Sequence, residues 1–401
     1  MSRAQLRVKS WGKVLACAVL GVSLAVPVAC DTVRDEISEA LVGPPFEPGA
    51  VTFVSDAEGW LRGAQGYCGT KCDRLFHTVD GGRNWEPVTA PAFDYEWFGI
   101  ADARNWFALR WPDTYGAQEL ELWWSHDGGS HWSRVRLPGD VELPAFGVRA
   151  VIADGTVRVV AFDGRTGEAR MVSSPVGADD FTATPRFPVV EGRGRDSSIT
   201  VDFTVVQAGS TSWFAGVVST PARGASKWVG ARVVDGRWSS FPLPCVSVNR
   251  PELAAISATE LAISCDPTGE VDSRQGEHHL YVSTDAGDTF TDLGALAPRG
   301  KYATLIGAGT TGDLVVAVPT GEPGAPTALR TSHDGGRTWA QTLNPPAPKG
   351  MSVSGAPAQG EFFTPATGYA RLSYVGEAPD GMDILYLTRD GGDTWDRVAL
   401  D

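Results

Sequence analysis

The chain has 401 residues, of which 47 are glycine, 27 are proline and 14 are tryptophan, while only 20% are charged. This composition is typical of a turn-rich β protein and excludes a disordered chain. The formal net charge is −14, and because such a surface repels phosphate backbones, a nucleic acid is not an expected partner.

The first segment of the chain is predicted to direct export. Residues 14–29 form a predominantly apolar run behind a cationic start that contains Arg3, Arg7, Lys9 and Lys13. The run is shorter than the roughly 20 residues that a membrane-spanning helix needs, and it is typical of a signal peptide. We expect residues 1–29 to be removed. Because they hold four cations and no acid, the exported chain then carries a formal charge of −18.

The apolar run ends at Cys30, which follows small residues. This arrangement resembles the bacterial lipobox, in which the cysteine is lipidated and becomes the mature N-terminus, although Pro27 stands where leucine is usual. The resemblance implies a lipoprotein of the bacterial cell envelope, held at the membrane only through the lipid, with residues 30–50 as lipidated N-terminus and polar tether. The alternative is cleavage after Ala25 or Ala29, which would give a soluble periplasmic or secreted protein.

Four further cysteines follow the export segment. An even number in an exported chain favours disulfides, and the predicted pairs are Cys68 with Cys72 and Cys245 with Cys265. A metal site built from Cys68, Cys72 and His77 is disfavoured because no second CxxC-like pair exists. We therefore expect no metal and no cofactor.

Five copies of one short motif organise the rest of the chain, and we call them the Asp turns: HTVDGGRNW, WSHDGGSHW, VSTDAGDTF, TSHDGGRTW and LTRDGGDTW. Their acidic residues are Asp80, Asp127, Asp285, Asp334 and Asp390. The aromatic residues five positions later are Trp85, Trp132, Phe290, Trp339 and Trp395. A short carboxylate can accept hydrogen bonds from N–H groups of its own turn, where glycine permits the positive φ that is needed. We predict that these carboxylates are structural and that each aromatic side chain folds back as a plug.

The Asp turns resemble the Asp-box, also called the bacterial neuraminidase repeat. This resemblance implies a β-propeller whose boxes lie on the face away from active sites. Successive acidic residues are 47, 49 or 56 positions apart, except for a gap of 158 between Asp127 and Asp285. Two eroded copies, SSPVGADDF and VVDGRW, fill this gap. We therefore predict an all-β fold with seven four-stranded blades over residues 51–401, almost no helix, and closure with little strand exchange. A two-domain chain divided near residues 185–198 is the rival prediction.

Loop length indicates where a binding site would lie. Links between first and second strands are short, whereas the opposite side carries long loops at 89–97, 111–119, 185–198, 266–277 and 345–360. Extended loops on a rigid scaffold are the usual location of binding residues. Four aromatic residues near these loops are the candidate contacts: Tyr95, Trp97, Trp111 and Tyr115. Blade core is the alternative role for such residues, above all for Trp97 and Trp111.

Non-catalytic binding is the function that we expect. The second strands begin with pairs such as Gly59-Trp60 and Asn105-Trp106, which resemble the photosystem-assembly-factor-like and sortilin-like propellers. That resemblance implies a protein or peptide partner without chemistry. We keep a glycan as a third class of partner in the cell envelope, and we expect a monomer.

The alternative function is glycoside hydrolysis of the sialidase-like kind. A sialidase needs three arginines, a tyrosine activated by a glutamate, and an aspartate, and the early Arg-Ile-Pro motif of sialidases is absent here. Arg62, Arg149 and Arg371 fall on predicted inner strands, where arginines are more often parts of salt-bridged walls. No catalytic residue is assigned.

Overall fold

A computed structural model describes residues 46–65, 73–112, 119–139, 141–144, 147–164, 166–189, 200–220, 225–244, 251–266, 278–296, 303–320, 327–348, 351–353, 359–376, 382–398 and 400. Over these residues the backbone consists of strands, turns and irregular links, without a helix. In particular, the described residues contain no helix that could cross a membrane.

The strands form seven antiparallel sheets, which are the blades of a β-propeller. The strands of the first three blades are β1 (Phe46–Phe53), β2 (Gly59–Gln65), β3 (Asp73–Thr78) and β4 (Glu86–Val88) in blade 1; β5 (Trp97–Ile100), β6 (Trp106–Arg110), β7 (Glu121–Ser125) and β8 (Ser133–Arg134) in blade 2; and β9 (Val148–Ala153), β10 (Thr156–Asp163), β11 (Glu168–Pro175), β12 (Thr182–Ala183) and β13 (Phe187–Pro188) in blade 3.

The remaining blades follow the same order from the inner to the outer strand. They contain β14 (Thr200–Ala208), β15 (Thr211–Thr220), β16 (Ala225–Val234) and β17 (Arg237–Ser240) in blade 4; β18 (Glu252–Ala255), β19 (Leu261–Cys265), β20 (His279–Ser283) and β21 (Thr291–Ala295) in blade 5; β22 (Thr304–Ala308), β23 (Leu314–Pro319), β24 (Thr327–Ser332) and β25 (Ala340–Leu343) in blade 6; and β26 (Met351–Val353), β27 (Gln359–Phe362), β28 (Gly368–Gly376), β29 (Met382–Thr388) and β30 (Asp396–Arg397) in blade 7. The predicted seven-bladed, four-stranded architecture is confirmed. Blades 3 and 7 each add a short piece: β13 pairs with β11, and β26 and β27 both pair with β28.

Blade 1 and blade 7 meet without sharing a strand, because each is built from one end of the described chain. The contacts between them include hydrogen bonds and an aromatic contact between Phe53 and Phe363, whose ring centroids lie 5.7 Å apart. Arg371 Nη1 donates to the Gly49 carbonyl at 3.1 Å, Thr367 Oγ1 donates to Asp56 Oδ1 at 2.8 Å, and Arg389 Nε donates to the Gly81 carbonyl at 2.6 Å. The inner strand of blade 1 begins at Phe46, earlier than the start near Val51 that the sequence indicated.

The Asp turns connect the third and fourth strands of blades 1, 2, 5, 6 and 7. In each, the N–H group after the aspartate donates to a carbonyl in the turn between the first and second strands; the Gly81 N–H, for example, lies 2.8 Å from the Ala57 carbonyl oxygen. Both kinds of turn therefore lie at one end of the propeller, which we call the Asp face. The opposite end is the long-loop face. In blade 4 the eroded copy is a two-residue hairpin, with φ of 48° at Asp235 and 74° at Gly236.

The hydrophobic core lies between neighbouring blades. Because each sheet is covered on both sides, second strands such as β6 (WFALR) are apolar almost throughout. The most deeply buried tryptophans are Trp124 and Trp213, whereas Trp339 and Trp395 of the Asp turns are only partly buried. The aromatic plugs of these two Asp turns are therefore only partly buried.

Candidate functional site

Each Asp turn is closed by the same hydroxyl and carboxylate hydrogen bonds, which blade 6 illustrates together with an indole bond that blades 2 and 7 share. Ser332 Oγ donates to Asp334 Oδ1 at 2.9 Å and accepts the Gly336 N–H at 2.8 Å. The same carboxylate accepts the Thr338 N–H at 2.8 Å and the Thr338 hydroxyl at 2.6 Å. The indole N–H of Trp339 then donates to the Gly336 carbonyl at 3.0 Å. The carboxylate is thus occupied by its own turn.

These hydrogen bonds stabilise the charged form of the carboxylates. The Thr338 hydroxyl lowers the pKa of Asp334 to about 2, the Thr289 hydroxyl lowers the pKa of Asp285 to about 2, and the His131 N–H lowers the pKa of Asp127 to about 2. A carboxylate that stays ionised and fully hydrogen-bonded is poorly suited to proton transfer near neutral pH. The geometry supports a structural role for the five aspartates.

Tyr95 lies at the seam between blades 1 and 2, near the long-loop face. Its hydroxyl donates to Asp73 Oδ2, and the Arg62 guanidinium carbon lies 5.5 Å from the centre of its ring. Burial raises the pKa of Tyr95, and the hydrogen bond to Asp73 raises it further. Its ring also packs against Phe98, with 5.4 Å between centroids.

Trp97 and Trp111 point to the other side of blade 2. Both pack against the hydrophobic cluster between blades 2 and 3, and the Trp97 ring lies 4.7 Å from that of Phe107. The Trp111 indole N–H donates to Glu96 Oε2 at 3.3 Å. The structure therefore does not bring these tryptophans together with Tyr95. The fourth candidate, Tyr115, lies outside the described residues.

Arg110 occupies a stacked position that the sequence analysis did not identify. Its guanidinium carbon lies 5.1 Å from the Phe93 ring centre and 4.9 Å from the Trp123 ring centre. The Trp123 indole N–H donates to Glu121 at 2.9 Å, and Glu121 in turn pairs with Arg134 at 2.7 Å. Since Phe93 comes from the link between two blades, no local pattern in β6 could reveal this stack.

The three arginines considered for a sialidase site have separate local partners. Arg62 covers Tyr95, Arg149 lies 3.8 Å from Asp202, and Arg371 lies 3.3 Å from Asp383. Arg149 is on an inner strand as expected. Arg62 and Arg371 are instead on second strands, β2 and β28, because the inner strands of their blades begin earlier in the sequence.

One tyrosine and glutamate do lie side by side. Glu361 and Tyr369 are register partners on β27 and β28, so their side chains share one face of blade 7. Burial of its surroundings raises the pKa of Glu361 to about 7, although the residue is exposed to solvent. Packing of protein atoms around Glu361 therefore raises its pKa even though part of the residue stays accessible to solvent. Burial also raises the pKa of Tyr369, which is the reverse of what activates a phenol as a nucleophile.

Several predicted site residues lie outside the described part of the chain. Cys265 is in a disulfide bond, but Cys68, Cys72 and Cys245 lie outside the described residues, so both pairings stay predictions. Cys30 and the rest of residues 1–45 also lie outside them. In the described part of the chain, no three histidine, cysteine or acidic side chains form a group that could hold a metal ion.

Comparison with known proteins identifies the fold. No protein family and no curated protein matches the sequence. Among solved structures, an ulvan lyase is 11% identical, with 89% of this chain and 97% of that chain covered and a TM-score of 0.54. A prolyl endopeptidase is 11% identical, with a TM-score of 0.55, and the match covers 94% of this chain but only 57% of that one. YCF48 bound to D1 peptide is 16% identical over 87% of this chain and 95% of that chain, with a TM-score of 0.48. At these identities the first two similarities establish the β-propeller fold and nothing finer.

Proposed function

We propose that the protein is an exported lipoprotein, anchored through Cys30, whose propeller binds a protein, peptide or glycan of the cell envelope without catalysis. The binding surface is the long-loop face at blades 1 and 2. Loops on a rigid scaffold can vary while the sheets keep their packing, which is why propellers commonly bind there.

The observation that carries this proposal is the row of partly exposed aromatic and guanidinium groups at that end of the two blades. Arg62 with Tyr95 and Arg110 with Trp123 combine flat apolar area with polar edges, and tyrosine, tryptophan and arginine dominate the binding energy of protein interfaces. Trp111 and Glu96 form a further polar and aromatic pair on the other side of blade 2.

Site-specific photo-crosslinking in the producing cells tests this proposal. A benzophenone amino acid at Tyr95 should form adducts with a partner, whereas the same group at Ser130, exposed on the Asp face, should form few. Tyr95 packs at a blade seam, where a bulky replacement can disturb the fold. Arg134, an exposed residue that pairs in register with Trp123, therefore serves as a second position for the crosslinker. Adducts at Ser130 but not at Tyr95 or Arg134 would contradict the choice of face.

Glycoside hydrolysis is kept as the second candidate because of Glu361. A carboxyl with a pKa near 7 can serve as a general acid or base at neutral pH. A panel of fluorogenic glycosides that includes a sialoside tests this function, with Glu361→Gln as the decisive variant and Asp235→Asn, in an exposed hairpin, as its control. We expect no turnover by the wild type. Turnover that Glu361→Gln abolishes and Asp235→Asn preserves would make the protein a hydrolase.

A further inference from the structure

We propose that Asp235 is the residue at which this protein forms isoaspartate as it ages, and that the Asp turns protect their own aspartates from the same reaction. Neither statement rests on the proposed anchor or on the proposed partner. The inference assigns a spontaneous covalent modification to one hairpin, and it gives the hydrogen bonds of the repeated turns a chemical role besides their structural one.

Aspartate followed by glycine is open to an intramolecular reaction, because glycine has no side chain that would keep its amide nitrogen away from the aspartate carboxyl. The nitrogen attacks Cγ, an N–Cγ bond forms, and the amide hydrogen leaves with the carboxyl hydroxyl as water, which gives a succinimide ring. Water then opens the ring. Attack at Cγ returns aspartate, whereas attack at the main-chain carbonyl carbon breaks the original peptide bond and leaves the chain connected through Cγ, as isoaspartate. The first step requires an amide nitrogen and a carboxyl group that other hydrogen bonds do not hold.

Eight Asp-Gly sequences in the chain provide an internal comparison. They begin at Asp80, Asp127, Asp154, Asp163, Asp235, Asp334, Asp380 and Asp390. Four of them belong to Asp turns, and Asp380 lies outside the described residues. Because the reacting atoms are the same in each, their relative reactivity in the folded protein depends on the structure around them.

The Asp turns hold the attacking nitrogen. In the four that contain Asp-Gly, the N–H group of this glycine donates to a carbonyl in the turn between the first and second strands of its blade. The N···O distances are 2.8 Å from Gly81 to Ala57, 2.9 Å from Gly128 to Arg104, 3.1 Å from Gly335 to Gly312 and 2.9 Å from Gly391 to Ala366. Such a nitrogen reaches Cγ only after the turn has opened.

The Asp turns hold the carboxyl group as well. In blade 6, Asp334 accepts hydrogen bonds from the Thr338 hydroxyl at 2.6 Å and from the N–H groups of Arg337 and Thr338 at 3.0 and 2.8 Å. These hydrogen bonds, with that of the Thr338 hydroxyl foremost, lower the pKa of Asp334 to about 2. The group therefore stays ionised at neutral pH, and an ionised carboxylate has no hydroxyl group to release.

Asp235 lacks both kinds of protection. Val233 stands where the Asp turns have serine or threonine, and Arg237 stands where they have their second glycine. Asp235 and Gly236 are exposed. Among the described residues, none donates a hydrogen bond to the Asp235 carboxylate and none accepts one from the Gly236 N–H. The two reacting groups are therefore held only by the hairpin itself.

The hairpin can open with little loss of structure. It joins β16 to β17, an outer strand of four residues, and the first register pair beyond the turn is Val234 with Arg237. The ends of such outer strands open locally with much smaller free energies than the core does.

The other two described Asp-Gly sequences are more constrained. Asp154 Oδ2 accepts the Gly209 N–H from blade 4. Asp163 is half-buried and pairs in register with Glu168 at the end of β10, and its carbonyl accepts the Gly167 N–H at 2.8 Å. Asp235 is therefore the least protected of the described Asp-Gly sequences.

Isoaspartate at this position would loosen one contact between blades. It lengthens the backbone of the two-residue turn by one atom, which the tight geometry at Asp235 and Gly236, with φ of 48° and 74°, does not accommodate. The shifted strand β17 carries Trp238, whose indole N–H donates to Thr184 Oγ1 of blade 3 at 2.8 Å and whose ring stacks on Phe187. The modification should therefore weaken the packing of blade 4 against blade 3.

Ageing the protein in its folded and unfolded states tests both statements. The purified full chain is incubated at mildly acidic pH, either in buffer or in guanidinium chloride, and is then digested. Electron-transfer fragmentation distinguishes isoaspartate from aspartate, which have the same mass. In buffer, isoaspartate should form at Asp235 at least about tenfold faster than at Asp334, because the Asp turn of blade 6 must open first. In guanidinium chloride the two rates should agree within about twofold, since the turns are unfolded there.

Two variants connect each rate to its structural cause. Asp235→Glu should abolish the modification at this position, because glutamate would have to close a larger ring, and should leave the rate at Asp334 unchanged. Ser332→Ala removes the hydroxyl that donates to Asp334 and accepts the Gly336 N–H. It should raise the rate at Asp334 in buffer but not in guanidinium chloride, with Ser130→Ala as its control.

Two results would overturn the inference. Equal rates at Asp235 and Asp334 in the folded protein would show that the Asp turns give no protection. A faster rate at Asp154 or Asp163 than at Asp235 in the folded protein would show that the hairpin is not the principal site.

Discussion

The imidazole Nε2 of His333 lies 2.8 Å from Asp393 Oδ1 in the next blade. Its Nδ1 lies 2.8 Å from Asp313 Oδ1 in its own blade, so the ring bridges blades 6 and 7 across the Asp face. The position just before the aspartate of an Asp turn has this bridging role elsewhere too. In blade 2, His126 Nε2 reaches Asp179 at 3.0 Å in blade 3.

The His333 bridge predicts a specific dependence of stability on pH. The hydrogen bonds to Asp313 and then to Asp393 raise the pKa of His333, so its stabilisation is complete below the unfolded-state pKa near 6.5 and is lost as pH rises through the folded-state value. The pair is half-exposed, so the effect should be at most about 1 kcal/mol. Urea unfolding should therefore show that His333→Gln destabilises the protein more at pH 5.5 than at pH 8, with Asp393→Asn intermediate. An equal loss at both pH values would mean that the bridge contributes no charge-dependent stability.

The buried hydroxyl of Ser332 should contribute measurably to the stability of the Asp turn in blade 6. The side chain is 1% exposed and satisfies both Asp334 and the Gly336 N–H. Ser332→Ala leaves that N–H buried without an acceptor and should lower the free energy of unfolding by about 2 kcal/mol. The matched control is Ser130→Ala, an exposed serine in another Asp turn, which should stay within about 0.5 kcal/mol of wild type. Similar losses in both variants in urea titrations would contradict this account.

The loss of stability when a tryptophan is replaced by alanine should depend on how deeply that tryptophan is buried, and not on whether it belongs to an Asp turn. Trp213 is fully buried, and its indole N–H donates to the Ala286 carbonyl in the neighbouring blade at 2.9 Å, so Trp213→Ala should cost about 3 to 5 kcal/mol. Trp339→Ala removes a partly buried ring and should cost about 1 to 3 kcal/mol. Thermal and urea unfolding measure both losses. A Trp339→Ala variant that is less stable than Trp213→Ala would show that the plugs of the Asp turns contribute more than their burial indicates.

The carboxylates of the Asp turns should control unfolding in acid. Hydrogen bonds lower the pKa of Asp127, Asp285 and Asp334 to about 2, below the ordinary value of 3.8. A lowered pKa stabilises the fold above the unfolded-state value, and this stabilisation is lost as pH falls from about 4 toward 2. Circular dichroism should therefore show the urea midpoint dropping steeply in that range. Asp334→Asn should make the drop shallower, while Asp235→Asn, outside the Asp turns, should leave its slope unchanged.

The sequence by itself determined the architecture. The five Asp turns are local structures, since the serine or threonine, the aspartate and the glycine that close each turn lie within a few residues of one another. Their spacing, with two eroded copies filling the gap of 158 positions between Asp127 and Asp285, predicted seven four-stranded blades because each blade repeats the same short antiparallel unit. Even the eroded copy at Asp235 is visible, because Asp-Gly is a strong signal for a tight hairpin turn.

Only the tertiary structure decided which residues meet across blades. Tyr95 turned toward Asp73 and Arg62 while Trp97 packed against Phe107, so these two candidate contact residues lie at different seams. The His333 and Asp393 bridge joins side chains 60 positions apart. Neither contact follows from a period or a motif, because it depends on the lateral packing of neighbouring sheets. Local hydrogen bonding is encoded within each repeat, whereas the surfaces between repeats are fixed only when the ring closes.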